Sequence, residues 1–113
     1  ASCVGEVLSA EEFYSFDSKY KNDQSMTQIP AKLQPQIEEE IRRLAIKAFK
    51  AVDGKGLSRV DFFIEKETSD IYINEINTMP GFTQISMYPK LFEAIGISYG
   101  ELLDQLIECA MIN

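Results

Sequence analysis

Arg59, Asp61, Glu75 and Asn77 are the residues whose types and spacing could do chemistry together. Each pair is two residues apart, and residues two apart on an extended chain share a face. Segments 58–65 and 70–77 both read as strands, joined by the polar stretch Lys66–Ser69. If they form an antiparallel hairpin centred on Thr68, Asp61 stands opposite Glu75 and Arg59 opposite Asn77. Directly opposed Cβ atoms lie ~4.5–5.5 Å apart. Two facing carboxylates repel unless something positive sits between them. Magnesium would fill that place, since it takes hard oxygen ligands, often one or two carboxylates with phosphate oxygens and water. Arg59 could then hold a phosphoryl oxygen and stabilise charge in transfer. A plainer reading stays open: Asp61 pairs with Arg59 or Lys66 at a sheet surface while Glu75 is solvated. Register decides between them, because a slip of one residue turns the faces apart.

The stretch after Asn77 adds further candidates. Gly81 could bring a bare backbone N–H close to a substrate oxygen. Ser86 and Met87 follow in a segment without period. The alternative is an ordinary Pro80-Gly81 turn with Ser86 capping a helix. Phe63 shares a face with Asp61 and could pack under a flat ring or belong to the core. The chain has no histidine, and its two cysteines, Cys3 and Cys109, match no zinc or redox spacing. They read as buried or half-buried thiols.

The elements that must position these residues follow from periodicity and turn signals. Residues 3–8 read as a short strand and 9–30 as a long loop closing at Ile29-Pro30, with a turn of helix near Ala10–Phe13. Unstructured loops longer than ~12–15 residues are uncommon in compact domains and are usually functional or disordered. Residues 35–51 read as a helix, with Ile37, Ile41, Leu44, Ala45 and Ala48 on one face. Pro35 suits its first turn, and Glu38, Glu39 and Glu40 favour its positive end as a solvated face. Gly54 and Gly56 close it. A short helix is expected over Tyr88–Ile95. A last one is expected over 98–112, capped by Ser98, with Leu102, Leu103, Leu106, Ile107 and Ala110 inward.

The chain's 113 residues suit one domain or a piece of one. A chain of this size can bury roughly two-thirds of its unfolded surface. With 45% hydrophobic residues, the composition is globular rather than disordered. A net charge of −7, from 11 Lys and Arg against 18 Asp and Glu, lacks the basic stripe that nucleic acid demands. No apolar run spans a bilayer and no signal peptide is evident, so no membrane partner and a cytoplasmic location are expected. The chain starts at Ala1 without Met while Val4–Leu8 already reads as strand. An excised piece is therefore expected.

The strings Ser58-Arg-Val-Asp-Phe-Phe and Ile73-Asn-Glu-Ile-Asn-Thr-Met-Pro-Gly-Phe-Thr-Gln-Ile-Ser-Met-Tyr-Pro-Lys resemble the carboxyl-terminal signature of D-alanine–D-alanine ligases of the ATP-grasp superfamily. The resemblance covers nearly the whole chain. It implies an α+β fold, the ATP-grasp carboxyl-terminal lobe, a mostly antiparallel sheet flanked by helices. Residues 1–113 would form the carboxyl-terminal part of the ATP-grasp domain, with a mobile loop at about 14–30. The amino-terminal substrate domain and the central lobe would be missing.

By the same resemblance, Asp61, Glu75 and Asn77 correspond to magnesium ligands, Glu75 bridging two ions, with manganese as a possible substitute. Arg59 corresponds to the arginine on the transferred phosphoryl group. Gly81 corresponds to the glycine whose N–H supports the oxyanion, and Ser86 and Met87 to the positions holding the carboxylate of the second D-alanine. Lys19 and Tyr20 match the pair in the loop that closes over nucleotide and substrates. Phe63 is placed against the adenine by inference only. The implied partners are ATP, D-alanine, the missing amino-terminal portion and, in the parent, a second copy in a homodimer. The implied reaction supplies peptidoglycan precursors through an acyl phosphate. A D-alanine–D-serine or D-lactate ligase, or an inactive isolated lobe, are the alternatives.

Overall fold

The computed structural model describes residues 1–8 and 27–112. The expected helical turn near Ala10–Phe13, most of the long loop, and Lys19 and Tyr20 lie outside the described residues. Two short strands, β1 (Glu6–Val7) and β2 (Thr27–Gln28), pair antiparallel, Glu6 opposite Gln28 and Val7 opposite Thr27. β2 corrects the expectation of loop up to Ile29-Pro30. Two residues are too few to show an alternating pattern, and the pairing with a distant segment is what makes them a strand. Ala31 N–H extends the contact by donating to the Val4 carbonyl at 2.7 Å.

Helix α1 spans Pro35–Ala51, as the periodicity requires. Pro35 occupies its first turn, where the missing N–H costs nothing, and Glu38 and Lys50 complement the two ends of its dipole. Ile41 is buried, with Ile37, Leu44, Ala45 and Ala48 half-buried on the same side. The acidic run makes i,i+3 pairs: Glu39 with Arg42 at 3.5 Å, and Glu40 with Arg43, which holds the Glu40 carboxyl below its usual range. Arg42 also donates to the carbonyls of Ser2 and Ala1 at 2.9 and 2.8 Å, tying the start of the chain to the helix. At the far end Gly54 N–H reaches the Phe49 carbonyl at 2.8 Å. A Cβ at Gly54 would run into the Phe49 ring.

The hairpin of β3 (Arg59–Ile64) and β4 (Ile71–Asn77) forms a second two-stranded antiparallel sheet, and α1 packs against β4. Its turn is held by Glu65 N–H to the Asp70 carbonyl at 2.9 Å and by Ser69, which takes a left-handed φ of 62°. Helix α2 spans Met87–Glu93 and ends at Gly96, whose φ of 95° suits glycine. Helix α3 spans Tyr99–Met111 and packs on α2.

The α3 stripe is narrower than expected. Leu102 is buried and Leu106 half-buried, but Leu103, Ile107 and Ala110 are exposed. One partner helix covers the 102/106 side and not the side a hundred degrees round. Cys3 is half-buried, its Sγ 3.4 Å from the Leu91 carbonyl oxygen, and burial pushes its thiol up. Cys109 is exposed, correcting the expectation of shelter.

Candidate active site

The hairpin register brings the four chemistry-bearing residues to one face. Arg59 pairs with Asn77 and Asp61 with Glu75. Directly after Asp61 the register shifts, Phe62 pairing with Ile73, so that Asn74 is the extra residue of a bulge in β4. Past the shift Ile73 pairs across from Phe62, so it leaves the face of Glu75 that strict alternation along β4 would give it. The shift also makes the Arg59–Asp61–Glu75–Asn77 cluster: the turn centres between Glu67 and Thr68 rather than on Thr68, a register that alone would set Asp61 opposite Asn74, and the extra residue brings Glu75 there instead.

Arg59 occupies the place between the carboxylates. Its Nε and Nη2 donate to Asp61 Oδ1 and Oδ2 at 2.9 and 3.1 Å, a bidentate fork, and Nη2 lies 3.6 Å from Glu75 Oε1. The hydrogen bonds Arg59 donates to Asp61 and the two negative charges raise the guanidinium pKa further, so Arg59 is cationic at any working pH. The cluster is only partly buried, so a ligand can reach it. Asn77 Oδ1 accepts from Met79 N–H at 2.9 Å, which bends the chain out of β4 towards Gly81.

Hard oxygens alone make up this donor set: two carboxylates and one amide. No group of three or more His, Cys, Asp or Glu side chains is arranged for a metal among the described residues. A set this small does not cage an ion by itself. It suits magnesium that shares its octahedron with phosphate oxygens and water.

The loop after Asn77 is fixed by aromatic packing. The Phe82 ring lies 5.6 Å from Tyr88 and 5.4 Å from Tyr99, and Tyr88 lies 5.2 Å from Phe92. Tyr88 is buried, which raises its phenol pKa. Ser86 does stand as the residue before α2, yet its side chain makes no cap bond to that helix. Instead its Oγ accepts from Thr83 N–H at 3.0 Å and sits 2.8 Å from Thr83 Oγ1. A Cβ built on Gly81 would come within 3.2 Å of that Oγ, so Gly81 and Ser86 adjoin. Met87 turns its sulfur against Gly5. Phe63 is 63% exposed and faces Tyr72 across the hairpin, so core packing does not explain it in this chain. Thr83 and Tyr99 had not stood out in the sequence. Of their contacts only the aromatic content of 82–99 left a trace there.

An α+β chain with this hairpin, loop and pair of helices is the carboxyl-terminal lobe of an ATP-grasp ligase. The family model described as D-ala D-ala ligase C-terminus matches residues 1–108, and the chain belongs to that family. It is 57% identical over 111 residues to the D-alanine–D-alanine ligase of Acetivibrio thermocellus, covering 98% of this chain and 30% of that protein. Among solved structures it resembles the VanG D-Ala:D-Ser ligase of Enterococcus faecalis, with TM-score 0.79 and 35% identity over 96% of this chain and 31% of that one. It also resembles the D-alanine–D-alanine ligase of Bacillus anthracis complexed with ATP, with TM-score 0.70 and 31% identity over 78% and 30% of the two chains. The chain spans about a third of the length of the curated relatives it matches.

Proposed function

We propose that this chain is the carboxyl-terminal part of an ATP- and magnesium-dependent ligase that joins two D-alanines for peptidoglycan precursors in the cytoplasm, its parent a homodimer. The observation that carries the reading is the Asp61–Glu75 and Arg59–Asn77 register, which gathers the oxygen donors and one guanidinium on a reachable face. In the proposed reaction the carboxylate of one D-alanine attacks the γ-phosphate of ATP, and ADP leaves. The amine of the second D-alanine then attacks the acyl phosphate, and phosphate leaves. Magnesium held by Asp61, Glu75 and Asn77 would neutralise phosphate charge. Arg59 holds the phosphoryl group in transit, the Gly81 N–H takes the developing oxyanion, and Ser86 with the Met87 backbone holds the second carboxylate. Phe63 is assigned to the adenine edge, and Lys19 and Tyr20 to the closing loop.

The test is made on the full-length parent. It should release phosphate from ATP only when D-alanine and a divalent cation are both present, yield D-alanyl-D-alanine, and stop on chelation with EDTA. Phosphate release that ignores D-alanine, or survives EDTA, would overturn the reading. The likeness to a D-Ala:D-Ser ligase supports a second reading, in which D-serine is the second substrate. The Lys19-Tyr20 pair favours an amino acid over D-lactate there. Product analysis with D-alanine, D-serine and D-lactate in competition separates the three.

A further inference from the structure

We infer that Tyr99 is a positioning residue for the carboxylate of the second substrate, acting on Ser86 through the Phe82–Thr83 peptide; this rests on the ligase reading above. The Phe82 carbonyl and the Thr83 N–H belong to one planar trans peptide, so fixing one fixes the other. The Tyr99 hydroxyl donates to the Phe82 carbonyl at 2.9 Å, and the Thr83 N–H on the other side donates to Ser86 Oγ at 3.0 Å. The peptide is pinned at both ends, and one end is the oxygen of Ser86.

The second contact bears on what Ser86 can offer, since either hydroxyl can be its donor. Thr83 Oγ1 lies 2.8 Å from Ser86 Oγ. When both the N–H and the hydroxyl of Thr83 donate into Ser86 Oγ, its own hydrogen is left to donate outward. An anionic carboxylate is the acceptor such a hydroxyl suits. Gly81 closes the other side, where a side chain would press on the same oxygen at 3.2 Å.

Tyr99 is held firmly enough to act as the anchor. It is the first residue of α3, directly after Ser98. Ser98 Oγ accepts from Glu101 N–H at 3.2 Å, and Ser98 N–H donates to Glu101 Oε1 at 3.3 Å, a reciprocal cap that sets where the helix begins. Its ring packs on Phe82, so the hydroxyl and the ring hold the same residue from two directions.

The test is Tyr99→Phe in the full-length ligase, which keeps the ring and removes the hydroxyl. KM for the second D-alanine should rise roughly fivefold, the size of one net hydrogen bond, with kcat and KM for ATP unchanged. Adding Tyr99→Phe to Ser86→Ala should raise KM no further, because the path runs through Ser86. Independently of activity, the Thr83 amide should exchange with solvent faster in Tyr99→Phe. An unaltered KM, a loss that simply adds to that of Ser86→Ala, or a general rise in every KM with a lowered Tm would each overturn the inference. A wild-type enzyme that makes no dipeptide would instead sink the ligase reading itself.

Discussion

Arg59 does two jobs in the hairpin, and they can be separated by substitution. Its charge offsets two facing carboxylates, and its planar fork engages both oxygens of Asp61. Lysine keeps the charge and loses the fork. Arg59→Lys in the full-length ligase should therefore leave thermal stability nearly unchanged while lowering kcat by about 10²–10³-fold, the usual cost of losing an oriented donor at a developing charge. Single-turnover kinetics beside a thermal melt reads both. A matched fall in Tm would mean that Arg59 serves mainly to hold the sheet. The pairing of these residues was legible in the sequence only in part: alternation puts Arg59 with Asp61 and Glu75 with Asn77 on shared faces, but the turn as observed would set Asp61 against Asn74, and the bulge is what brings Glu75 across from Asp61. The bulge at Asn74 was not legible, since no glycine or proline marks it and it arises only from how the two strands twist together. Nor was the fork itself: spacing allows Arg59 to reach Asp61, Glu75 or a phosphate, and only coordinates choose.

The elements differ in how far they carry their own instructions. α1 does so almost completely, since Pro35, an acidic first turn and an apolar stripe all lie within its seventeen residues. α3 depends on its first turn. Ser98 was readable as a cap, and the structure adds the return bond from Glu101. Ser98→Ala should cost about 1 kcal/mol at that end, seen as roughly fivefold faster amide exchange in the first turn of α3. Exchange in the last turn should not change, and a uniform increase along the helix would show that the cap does not act locally. Because Tyr99 follows Ser98 directly, the same loosening should reach the Phe82 carbonyl. β1 and β2 stand at the other extreme. Neither has a pattern of its own, and each becomes a strand only through its partner.

At the scale of the whole molecule, the described residues bury less than the composition allows. The buried apolar side chains are Leu8, Ala31, Ile41, Pro80, Tyr88, Pro89 and Leu102, among the described residues, whereas a chain of 113 residues could shelter far more. Large apolar groups stay outside instead: Phe63 and Tyr72 on the hairpin, and Leu103, Ile107 and Met111 in an i,i+4 stripe on α3. Sequence periodicity marked the α3 stripe as inward-facing because it reports which side is apolar, not which partner covers it. The relatives supply the missing scale, since this chain matches only about a third of their length. Among the described residues, a site built from two carboxylates, one amide and one guanidinium also has no counterpart for the other side of a triphosphate. Residues 1–113 produced alone should therefore release no phosphate from ATP in response to D-alanine, and should bind a dye specific for apolar surface more strongly, residue for residue, than the full-length ligase. Dipeptide formation by the short chain would show that the hairpin and its loop suffice for catalysis. Dye binding no greater than that of the whole enzyme would show that these apolar faces need no cover.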